Sequence, residues 1–170
     1  MKIVLIGLVC LLAVFFSYST VNAQSKKTII LVRHAEKDVS DAADKSDPVL
    51  TAEGRARAIL LLKAVKKYKP QEIFSTDYQR TRDTAEPTAR YRNKQVQIYD
   101  ASKPGDLIAK IMAGRSKRYL IVGHSNTIPP LANMLAKKEI FRNLLDGEHG
   151  VIWVIRLKKG ELKKVEILPY

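Results

Sequence analysis

At 170 residues the chain has room for one domain built on one core. Apolar residues make up 46% and charged residues 28%, near the globular average, which excludes a disordered, collagen-like or coiled-coil chain. Thirty Lys and Arg against 17 Asp and Glu give a formal charge of +13, a surplus suited to nucleic acid, an anionic surface or a phosphorylated substrate, and the single cysteine, Cys10, leaves no disulfide framework and no Cys-built metal site.

The first 23 residues have the makeup of a secretory signal. One positive charge at Lys2 precedes an apolar run from Ile3 to Phe16, and Val21-Asn22-Ala23 supplies small residues for cleavage after Ala23. The run is short for a membrane span, and no stop-transfer pattern follows it. Residues 24–170 are then a single cysteine-free domain with no stable membrane anchor, exported to a periplasm or released.

Thr28 to Val32 is a compact β-branched run suited to a buried strand. Asp38 to Asp47 is polar and reads as a surface loop. Thr51 caps a helix whose apolar positions Ala58, Leu61, Leu62 and Val65 recur at helical spacing, and Pro70 closes that segment. Glu72–Ser75 is a second strand, Tyr78–Arg90 a second helix and Val96–Tyr99 a third strand. Pro104-Gly105 opens a helix that stops at Gly114, Tyr119–Gly123 is a fourth strand, and Pro129-Pro130 introduce a helix through Leu131, Met134 and Leu135. Val151–Leu157 and Leu162–Leu168, joined by Lys158-Lys159-Gly160, read as a β-hairpin. Strand–helix alternation of this kind predicts an α/β fold, a mostly parallel sheet between helical layers with an antiparallel element at its end.

Two of the predicted strands end alike. Ile29-Ile-Leu-Val32 runs into Arg33-His34, and Leu120-Ile-Val122 runs into Gly123-His124. Ligands of open parallel sheets bind beyond the C-terminal strand ends, so neighbouring strands would bring these imidazoles face to face. A third strand, ending at Phe74-Ser75, leads into Arg80 near a helix start. Arginine's donor fork matches phosphate oxygens, and a helix N-terminus adds backbone N–H groups. Two Arg and two His at one sheet edge suit a phosphoryl pocket that calls for no metal and no cofactor.

The chain resembles the histidine phosphatase superfamily, the phosphoglycerate-mutase-like proteins. The resemblance rests on Leu31-Val-Arg-His-Ala-Glu-Lys37, Leu50-Thr-Ala-Glu-Gly-Arg-Ala-Arg-Ala58, Ser75-Thr-Asp-Tyr-Gln-Arg-Thr-Arg-Asp-Thr-Ala85 and Val122-Gly-His-Ser-Asn126. It implies a three-layer α/β/α sandwich around a six-stranded mixed sheet of order 3-2-4-1-5-6 with the fifth strand antiparallel. It also implies that His34 is the phosphorylated nucleophile and that Arg33, Arg80 and a protonated His124 complete the phosphate-binding core. Lys37, Ser125 and Asn126 are further candidate phosphate contacts. Ala35 stands where the family often has Gly, and Ser125 where its larger acid phosphatases have Asp. The proton donor is therefore open between Asp100, after the third strand, and Glu36; His149 reads as a loop contact.

The expected activity is exported hydrolysis of a small phosphate monoester through phosphohistidine, releasing inorganic phosphate. A mutase fits less well, because so compact a domain has little room for the insertions that hold a phosphoglycerate. Two alternatives stand beside the hydrolase: a non-catalytic binder of phosphorylated or polyanionic ligands, and a protein phosphatase of the same superfamily. Nucleic acid is not the expected partner, since the basic residues are scattered and form no stripe.

Overall fold

The computed structural model describes residues 26–40 and 44–170; the leader expected over residues 1–23, with Cys10 and the Ala23 cleavage point, lies outside the described residues. In chain order the elements are β1 (Lys26–Arg33), α1 (Ala52–Val65), β2 (Glu72–Ser75), α2 (Gln79–Arg92), β3 (Val96–Ile98), α3 (Pro104–Ala113), β4 (Arg118–Gly123), α4 (Ile128–Ala136), β5 (Val151–Lys158) and β6 (Glu161–Pro169). The predicted strands and helices are all present, most displaced by a residue or two at their ends.

The six strands form one sheet of order β3-β2-β4-β1-β5-β6. β1, β2, β3 and β4 run parallel, whereas β5 is antiparallel to β1 and to β6. Alternation along the strands divides the core. Ile29, Leu31, Phe74, Tyr119 and Ile121 point to one face, where Leu107 and Ile111 of α3 and Ile128, Leu131 and Leu135 of α4 cover them. Ile30, Val32, Ile73, Leu120 and Val122 point to the other, under Leu61 and Val65 of α1 and Ala85 and Ala89 of α2. Both faces being buried explains the unbroken apolar runs of β1 and β4. Pro104, Pro129 and Pro130 sit in first turns, where a missing N–H costs nothing.

The segment after β1 is pinned by α1. Thr51 Oγ1 accepts from Gly54 N at 3.0 Å, and Thr51 N donates to the Glu36 carbonyl at 3.0 Å. The helix start lies so close to that strand end that a Cβ on Gly54 would stand 2.2 Å from the Glu36 carbonyl oxygen. Glycine to alanine inside a helix ordinarily stabilises by about 1 kcal/mol. Gly54→Ala should do the reverse, losing about 2 kcal/mol in urea denaturation as the first turn is pushed off Glu36; a rise in stability would show that the approach is slack.

Candidate active site

Strand pairing builds the floor of the site. Arg33 at the end of β1 lies opposite Gly123 at the end of β4, and the ladder runs one residue further through His34 N to the Gly123 carbonyl at 2.9 Å. His34 and His124 thus leave the sheet side by side, ring centroids 5.4 Å apart at 67°. Gly123 has no room for a side chain. A Cβ there would meet the Tyr99 hydroxyl at 2.6 Å and the Ile128 side chain at 2.9 Å.

His34 is buried, with 5% of its surface exposed. Its Nδ1 lies 2.7 Å from the Ala35 carbonyl, which can only accept, so Nδ1 carries the hydrogen and Nε2 keeps a free lone pair. Burial, helped by His124, Arg33 and Arg80, outweighs that hydrogen bond and holds the imidazole down at about 3. His34 is neutral at pH 7. Ala35, in the place of the family's usual glycine, is fully buried and donates its N–H to Thr84 Oγ1 at 3.0 Å.

His124 is oriented by a chain of hydroxyls. Thr81 Oγ1 faces the carbonyls of Tyr78 and Thr76 at 2.8 and 3.0 Å, so it donates to them. Its 2.9 Å contact with Thr76 Oγ1 then has Thr76 as donor, and the 2.9 Å contact between Thr76 Oγ1 and His124 Nε2 has the imidazole as donor. The backbone N–H of His124 is held by Thr127 Oγ1 at 3.0 Å, and the Tyr78 ring stands edge-on at 5.2 Å. Burial first, then Arg80, Arg33 and Lys37, lower His124 to about 4. The imidazolium expected of His124 is therefore not its resting form.

Arg80, in the first turn of α2, stacks on Tyr78 with its guanidinium carbon 4.2 Å from the ring centroid. Its Nε and Nη1 are buried and donate to no group. Asp47 supports it from the loop before α1. The Asp47 carboxylate caps α2 by accepting from Gln79 N at 2.9 Å, and it lies 3.7 Å from Arg80 Nη1. Arg33 has a divided guanidinium. Nη1 donates to the carbonyls of Leu145, Asp146 and Glu148 at 2.8, 2.9 and 3.2 Å, while Nε is buried without an acceptor. Buried guanidinium nitrogens with unspent donors are costly unless an anion completes them. Such donors suit an oxyanion, carboxylate or phosphate.

One cavity of about 400 Å³ brings together seven of the residues singled out in the sequence: Arg33, His34, Lys37, Arg80, His124, Ser125 and Asn126. Tyr78, Ala101, Thr127 and Asp146 complete its lining. Neither carboxylate expected as a proton donor belongs to it. Asp100 turns into a neighbouring depression, where Ser102 N and Oγ bond its Oδ1 at 2.8 and 2.7 Å and hold it below the usual carboxylate range. Glu36 is drawn the other way, into an ion pair with Arg57 Nε at 2.5 Å. The carboxylate that does line the cavity is Asp146, whose side chain is wholly exposed 3.9 Å from Arg33 Nη2. His149 is a loop contact, its Nδ1 3.2 Å from the His34 carbonyl and its ring 6.2 Å from that of His34.

Asp47, Thr76, Tyr78 and Asp146 escaped the sequence reading. Asp47 caps a helix that begins 32 residues later, and Asp146 lies in a segment without periodicity.

Comparison with known proteins bears on the fold. Residues 29–102 match the family model of the histidine phosphatase superfamily (branch 1), a span that takes in His34 and Arg80 and ends before His124. No curated protein matches the sequence. Among solved structures, the protein histidine phosphatase SixA complexed with tungstate superposes with a TM-score of 0.67 at 15% identity, covering 84% of this chain and 96% of that one. Mycobacterial glucosyl-3-phosphoglycerate phosphatase superposes with a TM-score of 0.66 at 14% identity over 85% of this chain and 98% of that one. Its complex with inorganic phosphate gives 0.61 at 15% identity, covering 85% and 96%. At these identities the likeness is one of fold.

The protonation states are measurable. In an NMR titration of the free protein, His34 and His124 should stay neutral well below the ordinary imidazole midpoint of about 6.5. The unfolded chain then binds more protons than the native one as pH drops from 6.5 towards the folded values. Stability should fall over that window, by about 2 kcal/mol per imidazole at pH 5. An imidazole of either residue titrating near 6.5 would contradict the burial argument.

Proposed function

We propose that this chain is a phosphatase of the histidine phosphatase superfamily, exported by its N-terminal leader, that hydrolyses phosphate monoesters through a phosphohistidine on His34. One observation carries the reading. A buried, neutral imidazole with its Nδ1 hydrogen bound to a carbonyl presents Nε2 as a nucleophile beside two guanidiniums with unspent donors.

The substrate's phosphoryl group sits between Arg33, Arg80 and His124, with Nε2 of His34 in line with the leaving oxygen. Its negative charge raises the proton affinity of His124, so that a proton arrives at Nδ1 with the anion while Nε2–H stays on Thr76. As the P–O bond breaks and the N–P bond forms, charge moves onto oxygens already faced by the Arg33 and Arg80 donors. Such pre-aimed electrostatics is commonly the largest catalytic contribution. The leaving oxygen takes its proton from water at the cavity mouth, since Asp100 and Glu36 are engaged elsewhere and Asp146 extends into solvent. A second water attacks phosphorus from the vacated side and gives a proton to the hydroxide left by the first, the N–P bond breaks, and inorganic phosphate leaves with His34 neutral again.

Rapid quenching during turnover of p-nitrophenyl phosphate should trap phosphate on His34 in an acid-labile, alkali-stable linkage. His34→Ala should lose both label and turnover. Label on another residue, or turnover by the alanine variant, would end the assignment. Arg80→Ala should lower kcat by about 10²–10³-fold, the usual cost of one such donor. Arg90→Ala, whose side chain is exposed and paired with Glu86, should leave kcat unchanged.

A further inference from the structure

Charge is distributed unevenly between the two ends of the sheet. At the C-terminal strand ends, around the cavity, charges of both signs are interspersed and largely paired: Lys37 lines the cavity, Arg82 pairs with Asp47 and Asp77, Lys103 with Asp100, and Arg142 with Glu148. The opposite end is formed by the starts of β1, β2 and β4, the ends of α1, α2 and α3, and the β5–β6 turn. Most of its exposed charges are basic.

Lys26, Lys66, Lys67, Lys69, Lys94, Arg115, Lys117 and Lys159 are all exposed there. None of them makes an ion pair among the described residues. The loops that carry them form one continuous surface. Thr28 N donates to the Lys117 carbonyl at 2.8 Å, Gln71 N to the Arg118 carbonyl at 2.9 Å, Arg118 Nε to the Lys69 carbonyl at 2.9 Å and Arg92 Nε to the Pro70 carbonyl at 3.1 Å. Nearby carboxylates are already engaged: Glu72 accepts from Gln97, and Glu161 pairs with Lys163 at 3.0 Å. Helix dipoles account for only part of this, since cations do favour helix C-termini. Lys26, Arg115, Lys117 and Lys159 lie outside helices altogether.

We infer that this pole seats the domain on an anionic lipid surface, with the cavity turned away from the bilayer. Two observations favour lipid over nucleic acid. The chain enters the fold through Lys26, within this face, and, resting on the proposed export, the apolar run Ile3–Phe16 that precedes it in sequence would hold this end of the chain at a bilayer until the leader is cleaved. The cations sit on the loop ends of successive crossovers, and the helices meet the face end-on, so none is laid along it for a nucleic-acid groove. No described helix is long and apolar enough to cross a membrane, so the contact is peripheral. Clustered Lys and Arg near an anionic surface give such binding, and salt screens it.

The test is co-sedimentation of the processed chain, residues 24–170, with phosphatidylcholine vesicles, with and without phosphatidylglycerol. Binding should need phosphatidylglycerol and weaken as salt is raised. The combined variant Lys66→Glu, Lys67→Glu, Lys117→Glu should lose about tenfold or more in affinity. An independent variant, Lys94→Glu with Lys159→Glu, should lose affinity too, both with a wild-type thermal transition. On the vesicle, hydrogen exchange should slow in residues 66–69 and 115–118 and stay unchanged in 124–127. Equal binding to both vesicles, unaltered binding by either folded variant, or protection at 124–127 would overturn the inference. Tighter binding to a DNA duplex than to phosphatidylglycerol vesicles at the same salt would overturn it in favour of nucleic acid.

Discussion

The parallel pairing of β1 with β4 is the constraint on which everything else rests. Parallel neighbours end at the same edge, and the register that sets Arg33 against Gly123 delivers the next residue of each strand to the same spot. A slip of one residue would turn His34 towards the opposite face of the sheet and separate it from His124. The cores on either side oppose that slip, because Ile30 and Val32 are committed to the α1–α2 layer while Ile29 and Leu31 are committed to the α3–α4 layer. Apolar packing at the middle of the sheet thus sets polar geometry at its rim.

The rim itself is organised so that charge is withheld from the imidazoles and concentrated in the guanidiniums. His34 and His124 are desolvated beside cations, which keeps both neutral. Arg80 is fixed by stacking on Tyr78 and by the Asp47 carboxylate 3.7 Å from Nη1, an ion pair that leaves Nε and Nη1 without a hydrogen bond. The hydroxyl chain from Thr81 through Thr76 gives His124 one tautomer. On the proposed function each of these groups would meet an arriving anion with little rearrangement, and pre-organisation of that kind is what makes a polar site effective.

Much of this was legible in the sequence, and what was legible followed from local rules. Runs such as Ile29–Val32 and Leu120–Val122 announce buried strands, Pro and Gly mark their borders, and paired strand–His endings point to one edge. The proton-donor candidates show where such reasoning stops. Asp100 and Glu36 both follow a strand at the correct edge, but the direction of each side chain is decided by a neighbour, Ser102 for one and Arg57 for the other. Asp47 and Asp146 belong to segments without periodicity, and their roles exist only through contacts with Gln79, Arg80 and Arg33, which lie far away in the chain. The basic pole was equally hidden, since its residues are scattered in sequence and gather only when successive crossovers return to the same edge.

Arg33 has a double attachment that bears on which exchanges its position tolerates. Its Nη1 is saturated by three carbonyls of the segment before β5, Nη2 lies 3.9 Å from the Asp146 carboxylate, and Nε is buried without an acceptor in a residue that lines the cavity. A lysine would keep the charge, but its one compact ammonium group could serve either the segment or the cavity. Such an exchange looks conservative on paper. In this fold it would uncouple two attachments that a single planar group makes at once, so lysine at position 33 is no conservative replacement.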